Sequence, residues 1–206
     1  MLISTERSVG KMMTKDEILD AAAQIFSQKG YHGTSMQDIA LAVDLQKGSL
    51  YHHVSSKQEI LFELLNRGLE ILTTHVTDAI EEPAPADIKL RRAMRAYLGT
   101  LTEYQDLAAV LILEHRSLEP EYQKRHIPQR DRFEQIWRDL ILEGKEAGIF
   151  SCDHPSLSAR AVLSVMNWTV TWFRSDGPMS AEYIAEQFSQ LLLSGLFDRE
   201  TVFETE

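Results

Sequence analysis

The chain has 206 residues, of which 44% are hydrophobic and 25% are charged, and its formal net charge is −10. This composition supports one or two folded domains with hydrophobic cores. It argues against a general nucleic-acid binder, because phosphate contacts favour a basic protein. No apolar run approaches the roughly 18 residues that a transmembrane helix needs. The single cysteine, Cys152, excludes an internal disulfide and favours a reducing, cytoplasmic location.

Charge is unevenly distributed along the chain. Residues 1–57 carry equal numbers of acidic and basic side chains, so all of the net negative charge falls in residues 58–206. The average charge therefore does not exclude a local basic face on the N-terminal segment. Residues 1–13 lack the apolar core of a signal peptide and are expected to form a flexible lead.

Helical periodicity starts near the N-terminus. Apolar residues recur at helical spacing over 15–29, and Gly30 follows as a stop signal. Thr34 and Gln37 form a capping-box pattern, which predicts the start of a short helix. After a tight turn, a second short helix is predicted over about 47–53.

A much longer helix is predicted next. Ser56 and Glu59 form another capping-box pattern, and the apolar pattern continues over 57–80 until Pro83 and Pro85 end it. Roughly 25 residues at 1.5 Å each span about 37 Å, which is long enough to connect two bodies.

The remainder of the chain also has helical periodicity and lacks the alternation that is typical of strands. The fold class is therefore predicted to be all-α. The further helices are predicted over 88–104, 107–118, about 128–147, 157–174 and 181–197.

The two short helices and their tight turn are typical of a helix-turn-helix, whose second helix enters the major groove. Gly48 and Ser49 are small enough for the backbone to approach DNA, and a helix N-terminus favours phosphate. Tyr51, Lys57 and Lys15 are predicted to contact phosphates. The side chains predicted to face the groove are Gln46, Lys47, Ser49, His52 and His53.

This helix-turn-helix region resembles that of a known family. The stretches ILDAAAQIFSQKGYHGTSMQDIALAV and KGSLYHHVSSKQEIL closely resemble the DNA-binding domain of TetR-family transcriptional repressors. The resemblance implies an Ω-shaped homodimer, with a three-helix helix-turn-helix DNA-binding domain (1–57) and a helical ligand-binding and dimerisation domain (58–206). It implies a repressor that binds a palindromic DNA operator and is released by a small lipophilic effector.

The resemblance also implies roles for individual residues. The residues that match DNA-contacting positions of the family are Lys47, Ser49, Tyr51, His52 and Lys57. Thr34 matches the residue that caps the first motif helix near a phosphate. His53 departs from the family, which more often has Tyr or Phe there, and its role is left open between groove contact and packing.

The C-terminal part resembles a particular branch of the family. LEHRSLEPEYQKRHIPQRDRFEQIW and NWTVTWFRSDGPMSAEYIAEQFSQLLLSGL look like regulators of fatty-acid, sterol and aromatic-acid breakdown, which implies an acyl-CoA effector. Clustered arginines could hold the phosphates of coenzyme A, and apolar residues its acyl chain. The candidate ligand-binding residues are Arg91, Arg95, Tyr97, Leu101, Leu111, Arg116, Arg132, Ile136, Trp137, Met166 and Trp168.

Two alternatives stay open for this effector site. The arginines, Arg92 included, could be a solvated face paired with nearby glutamates, and the effector could be a non-CoA aromatic or drug-like molecule. The last two helices are apolar on more than one face, which favours a symmetric dimer over a monomer. The predicted dimer interface comprises Leu157, Ala161, Val165, Trp172, Phe188, Leu192 and Gly195.

Other functional classes have weaker support. No GxSxG, GxxxxGK or HExxH pattern occurs, so no catalytic residues, no metal site and no cofactor are predicted. His52 and His53 are neighbours, and a helix directs neighbours about 100° apart, which is unsuitable for a shared metal. A helical interaction protein is the third class, and it would function without residues 1–57.

Overall fold

The computed structural model describes residues 14–196, and every regular element in this range is helical, as predicted. The α-helices of this range are α1 (Lys15–Lys29), α2 (Met36–Ala42), α3 (Lys47–Leu50), α4 (Lys57–Glu81), α5 (Ala86–Glu103), α6 (Gln105–Leu113), α7 (Pro120–Glu146), α8 (Pro155–Asn167) and α9 (Ala181–Leu196). Short 3₁₀ helices follow α6 (His115–Ser117) and α8 (Trp168–Thr171). The predicted flexible lead, 1–13, lies outside the described residues. Within 14–196, no helix combines the length and apolarity needed to span a bilayer.

The first helix has the local signals that its sequence predicts. Thr14 and Glu17 form a capping box at its start, and its buried face includes Ile18 and Phe26. Gly30 ends the helix with φ at +73°, a conformation that favours glycine.

The start of α2 differs from the prediction by one residue. Ser35, not Thr34, caps the helix, and its reciprocal partner is Asp38, not Gln37. Thr34 is only 2% exposed, and its hydroxyl donates to the Gly30 carbonyl instead. The hydrogen bonds from Ser35 hold the pKa of the exposed Asp38 carboxyl down to about 2.

The second motif helix, α3, is shorter than predicted. Regular α-helix covers four residues, and i→i−3 hydrogen bonds from His52 and His53 continue it as a turn. Leu50 and Val54 are buried with Ile39 of α2, and they fix the position of α3.

Helix α4 joins the N-terminal helices to the C-terminal body. Ser56 caps it as predicted, but the Glu59 carboxylate accepts from the Ser55 N–H and not from that of Ser56. Its 25 residues are the predicted length. It packs against α1 on one side and against α5, α6 and α7 on the other. The predicted domain boundary at residue 57 thus falls at the first residue of a helix that serves both parts.

Three C-terminal helices differ from the predicted ranges, the first of them α6, which ends at Leu113 and not at 118. Helix α7 starts at Pro120, and Pro128 lies inside it rather than near its start. The proline removes one backbone N–H from the helix, but packing on α4, α5 and α8 keeps the helix continuous. Helix α8 ends at Asn167, and the chain continues as a 3₁₀ turn instead of the predicted helix to 174.

Candidate functional site

The surface around α3 exposes half of the residues predicted to contact DNA. Exposed residues there are Gln46, Lys47, Gly48, Tyr51 and His52, while Ser49 and His53 are half-buried. A Cβ added at Gly48 would meet no atom within 4 Å, so the backbone is open to an approaching partner. Lys47, Tyr51 and His52 make no side-chain hydrogen bond or ion pair with any residue of 14–196. Their polar groups are free to bind a partner.

The other lysines of this region already have partners. Lys15 bridges Glu63 at 2.6 Å, which raises the lysine pKa, and Lys29 pairs with Asp38 at 3.3 Å. The ammonium of Lys57 donates to the carbonyls of Tyr31 (2.9 Å) and Thr34 (2.7 Å) and lies 4.2 Å from the centroid of the Tyr31 ring.

These contacts change two predicted roles. Lys57 ties the α1–α2 loop to α4, a structural role that the sequence did not indicate, and its phosphate contact stays a prediction, as does that of Lys15. The predicted role of Thr34 as a cap beside a phosphate is wrong, because its hydroxyl is buried and bonded to Gly30.

A cavity of about 540 Å³ lies within the C-terminal body, between α4, α5, α6, α7 and α8. Its buried residues include Leu72, Tyr97, Leu111, His126 and Phe133. The remaining lining residues are Leu69, Ile112, His115, Arg116, Arg130, Glu134, Arg160, Leu163, Ser164 and Asn167.

Positive charge surrounds this cavity. Arg116, Arg130 and Arg160 are exposed and line it, whereas Glu134 is its one lining carboxylate within 14–196. Glu134 accepts from Arg160 at 2.8 Å and from Arg138 at 2.6 Å, which lowers its pKa despite partial burial. Arg116 makes no ion pair within the described range. The arrangement suits an amphipathic anion, with an apolar part inside and negative charge at the rim.

Both histidines of the cavity are held neutral. Burial, together with the nearby charge of Arg130, lowers the pKa of His126 to about 4, and burial also lowers the pKa of His115. The Nδ1 atom of His126 lies 3.0 Å from Asn66 Oδ1, and that of His115 lies 3.0 Å from the Ile112 carbonyl. The Nδ1 atom of His115 therefore carries the proton, since a carbonyl can only accept, and that of His126 does so with the Asn66 oxygen facing it.

The structure brings together only part of the predicted effector site. Tyr97, Leu111 and Arg116 line the cavity. Arg91 and Arg95 do not, because both pair with Glu186 of α9, at 3.8 and 3.6 Å. Arg92 pairs with Glu82. The arginines of α5 thus form the face that pairs with glutamates, and their predicted role in binding an effector is wrong.

The other predicted effector residues lie elsewhere. Trp137 and Met166 are in the core behind the cavity wall, and Leu101 borders only small hollows. Arg132 and Ile136 line a separate groove between α4 and α7. Trp168 is 65% exposed on the outer surface, so its assignment to the effector site is wrong.

Several cavity residues were not predicted from the sequence. His126, Phe133 and Glu134 lie on one stripe of α7, and Arg160, Ser164 and Asn167 lie on one stripe of α8. The helical spacing of these polar residues could have indicated a polar stripe on each helix, but spacing alone does not show which stripe faces the cavity.

An exposed apolar face covers the outer side of α8, its 3₁₀ extension and α9. Leu157 is 64% exposed, Leu191 is 70% exposed, and the Trp172 and Phe188 rings pack edge to face at 6.4 Å. The other predicted interface residues lie on the same side as exposed or half-buried positions, namely Ala161, Val165, Leu192 and Gly195. Exposed apolar side chains grouped on one face are typical of a protein interface.

The segment 114–119 connects the cavity to the N-terminal helices. The Glu114 carboxylate accepts from the Tyr31 N–H (3.1 Å) and the Ser117 hydroxyl (3.1 Å). The buried Gln58 amide bonds the Ser117 carbonyl (2.8 Å) and the Glu119 N–H (3.0 Å). His115 and Arg116 of the same segment line the cavity, so one short stretch touches both functional parts.

Comparison with known proteins agrees with this architecture. The family described as bacterial regulatory proteins of the tetR family matches residues 18–64, and the tetracyclin repressor-like C-terminal domain matches 83–196. The solved structure of the TetR-family regulator PfmR from Thermus thermophilus is 40% identical, covers 89% of this chain and 100% of its own, and superposes with a TM-score of 0.81.

Two further proteins are similar over most of their length. The transcriptional repressor KstR2 of Mycobacterium tuberculosis is 27% identical over 194 residues, covering 93% of this chain and 97% of its own. The structure of AibR in complex with isovaleryl coenzyme A and operator DNA is 26% identical, covers 89% and 97%, and has a TM-score of 0.79. With both halves matched by family models, the chain belongs to the TetR family of transcriptional regulators.

Proposed function

We propose that the protein is a repressor that binds a palindromic operator as a homodimer and is released by an acyl-CoA thioester. The observation that carries the DNA-binding part is the exposed surface of α3, where Lys47, Tyr51 and His52 lack partners within residues 14–196. Lys47 can donate to a guanine edge, and Tyr51 to a phosphate. Phosphate contacts would set the affinity and its dependence on salt.

Dimerisation follows from the apolar face of α8 and α9. Two copies related by a two-fold axis would cover this face, and each copy would present one α3 to DNA. Half-sites in successive major grooves are about 34–36 Å apart, which is the spacing that the dimer must match.

An acyl-CoA is the effector that the cavity supports best. Its apolar walls suit an acyl chain, and the arginines at the rim suit the phosphates of coenzyme A. The structural likeness to AibR, whose complex holds isovaleryl coenzyme A, supports this class. A neutral aromatic or drug-like ligand would leave Arg116, which makes no ion pair within residues 14–196, without a charged partner.

Release of DNA would run through the segment 114–119. A ligand that contacts His115 or Arg116 displaces the segment that Tyr31 and Gln58 hold by hydrogen bonds. For the ligand to release DNA, it must bind the released conformation more tightly than the operator-bound one.

The test is a titration of the protein on DNA from its own upstream region, followed by fluorescence anisotropy. Acyl-CoAs of several chain lengths should release the DNA, whereas coenzyme A alone and free fatty acids should be much weaker. Mass spectrometry of ligand co-purified with the protein gives an independent identification. Equal release by free fatty acids, or none by any thioester, would contradict the proposed effector class.

A further inference from the structure

The lining of the cavity includes polar groups that are only partly hydrogen-bonded. Tyr97 is 3% exposed, and its hydroxyl donates to Oδ1 of Asn167 at 2.5 Å. The amide nitrogen of Asn167 has no partner within residues 14–196. If the amide is turned over, its oxygen is left unpaired instead, so one polar atom stays available in either orientation.

His126 adds a second open position. It is 4% exposed, and its Nδ1–H is used by Asn66, which lies outside the cavity lining. Its Nε2 has no hydrogen-bond partner in the described range. This atom is not fully enclosed by protein, so a ligand can reach it through the cavity that His126 lines. In this tautomer Nε2 is an acceptor. The low pKa of about 4 keeps the ring neutral near pH 7.

A plain alkyl chain fits these groups poorly. It would exclude water from Asn167 and His126 without replacing the hydrogen bonds, and unpaired buried polar groups are costly. A site built to bind an oxygen discriminates against the analogue that lacks it. A hydroxyl group can accept from the Asn167 amide or donate to His126 Nε2, so it suits both open positions.

We infer that the effector's acyl group carries a hydroxyl or similar oxygen function, which Asn167 and His126 recognise inside the cavity. This inference rests on the proposed acyl-CoA function and adds the chemistry of the acyl group. Asn167 and His126 determine specificity, and the arginines at the rim hold the charged part that all CoA thioesters share.

The test uses octanoyl-CoA, 3-hydroxyoctanoyl-CoA and 8-hydroxyoctanoyl-CoA with the full-length protein, measured by isothermal titration calorimetry. One hydroxylated thioester or both should bind about tenfold more tightly than octanoyl-CoA. Asn167→Leu should remove most of this preference and leave octanoyl-CoA affinity equal or improved. Gln135→Leu, the same change of an exposed amide on α7, should keep the preference.

The outcomes separate the two proposals. If none of the three thioesters binds or releases DNA, the proposed effector class fails. If octanoyl-CoA binds as tightly as both hydroxylated thioesters, the inference fails while the effector class stands. Should Asn167→Leu fold poorly by circular dichroism, His126→Leu, which removes the ring nitrogen, gives a second reading of the same preference, and an unchanged preference there overturns the role of His126.

Discussion

At the scale of single residues, partners decide which lysine is available to DNA. Among residues 14–57, Lys47 alone among the lysines lacks a side-chain partner, while Lys57 is bonded to two carbonyls. Both lysines match DNA-contacting positions of the family, yet their surroundings differ.

Exchange of the two lysines for methionine should therefore have different results. Lys47→Met should weaken operator binding about tenfold and relax the preference for guanine at the contacted position, with little effect on thermal stability. Lys57→Met should lower the free energy of unfolding by about 1–2 kcal/mol, because it removes charge-assisted bonds to the loop. Anisotropy and urea denaturation measure the two effects. Equal loss of DNA affinity at full stability in Lys57→Met would show that Lys57 acts mainly on DNA.

His126 gives a pH dependence with a defined sign. Its pKa is about 4 in the folded protein and about 6.5 when unfolded, so the unfolded state binds more protons between these values. The free energy of unfolding should fall as the pH drops from 6.5 to 4, by at most about 3 kcal/mol from this group. His126→Gln should flatten the slope, and His154→Gln, which changes an exposed loop residue, should leave it as in the parent. An unaltered slope in His126→Gln would assign the dependence to other groups.

At the scale of elements, the segment 114–119 matters more than its length suggests. It contributes His115 and Arg116 to the cavity, and through Glu114, Ser117 and Gln58 it is bonded to the loop after α1 and to the start of α4. A movement of this segment changes the support of the helix-turn-helix directly.

Glu114→Gln should weaken this connection. The neutral amide is a poorer acceptor than the carboxylate for the Tyr31 N–H. It also has an NH₂ group in place of one carboxylate oxygen, so it cannot offer separate oxygens to the Tyr31 N–H and the Ser117 hydroxyl. Effector affinity should stay within about twofold, whereas the effector-induced loss of DNA affinity should shrink about fivefold or more. Glu121→Gln, the same change on the exposed first turn of α7, should behave as the parent. Full release by the effector in Glu114→Gln would exclude this route.

At the scale of the whole molecule, the exposed apolar face of α8 and α9 is the feature that a monomer leaves unexplained. Leu157, Trp168 and Leu191 are each more than half exposed, although they lie on helices whose other sides are buried. The proposed two-fold dimer buries this face and places both α3 helices on one operator.

A single charge on this face should oppose dimerisation. Leu191→Glu places a carboxylate at a position that is 70% exposed in the single chain and buried in the proposed dimer. Its mass by light scattering should shift toward the monomer, with a corresponding loss of operator affinity. Gln28→Glu adds the same charge on the exposed face of α1 and should stay dimeric. A dimeric Leu191→Glu variant would place the interface elsewhere.

Local signals in the sequence determined the helices that begin with a clear cap. The start of α4 at Ser56, the stop of α1 at Gly30 and the break at Pro83 and Pro85 all depend on neighbouring residues. Where two neighbouring residues could each cap a helix, the prediction was wrong, because Ser35 and not Thr34 caps α2. Pro128 was expected near a helix start, because the packing that keeps α7 continuous is not a local property.

The sequence by itself thus determined the all-α class, the helix-turn-helix and the surface residues of α3, because periodicity, caps and small residues act over a few positions. Only the tertiary structure decided which arginines face the cavity. Arg91 and Arg95 pair with Glu186, which is distant in the sequence, whereas Arg116, Arg130 and Arg160 come together from three elements. Such contacts depend on how helices pack, since each helix alone offers several polar stripes that could face inward.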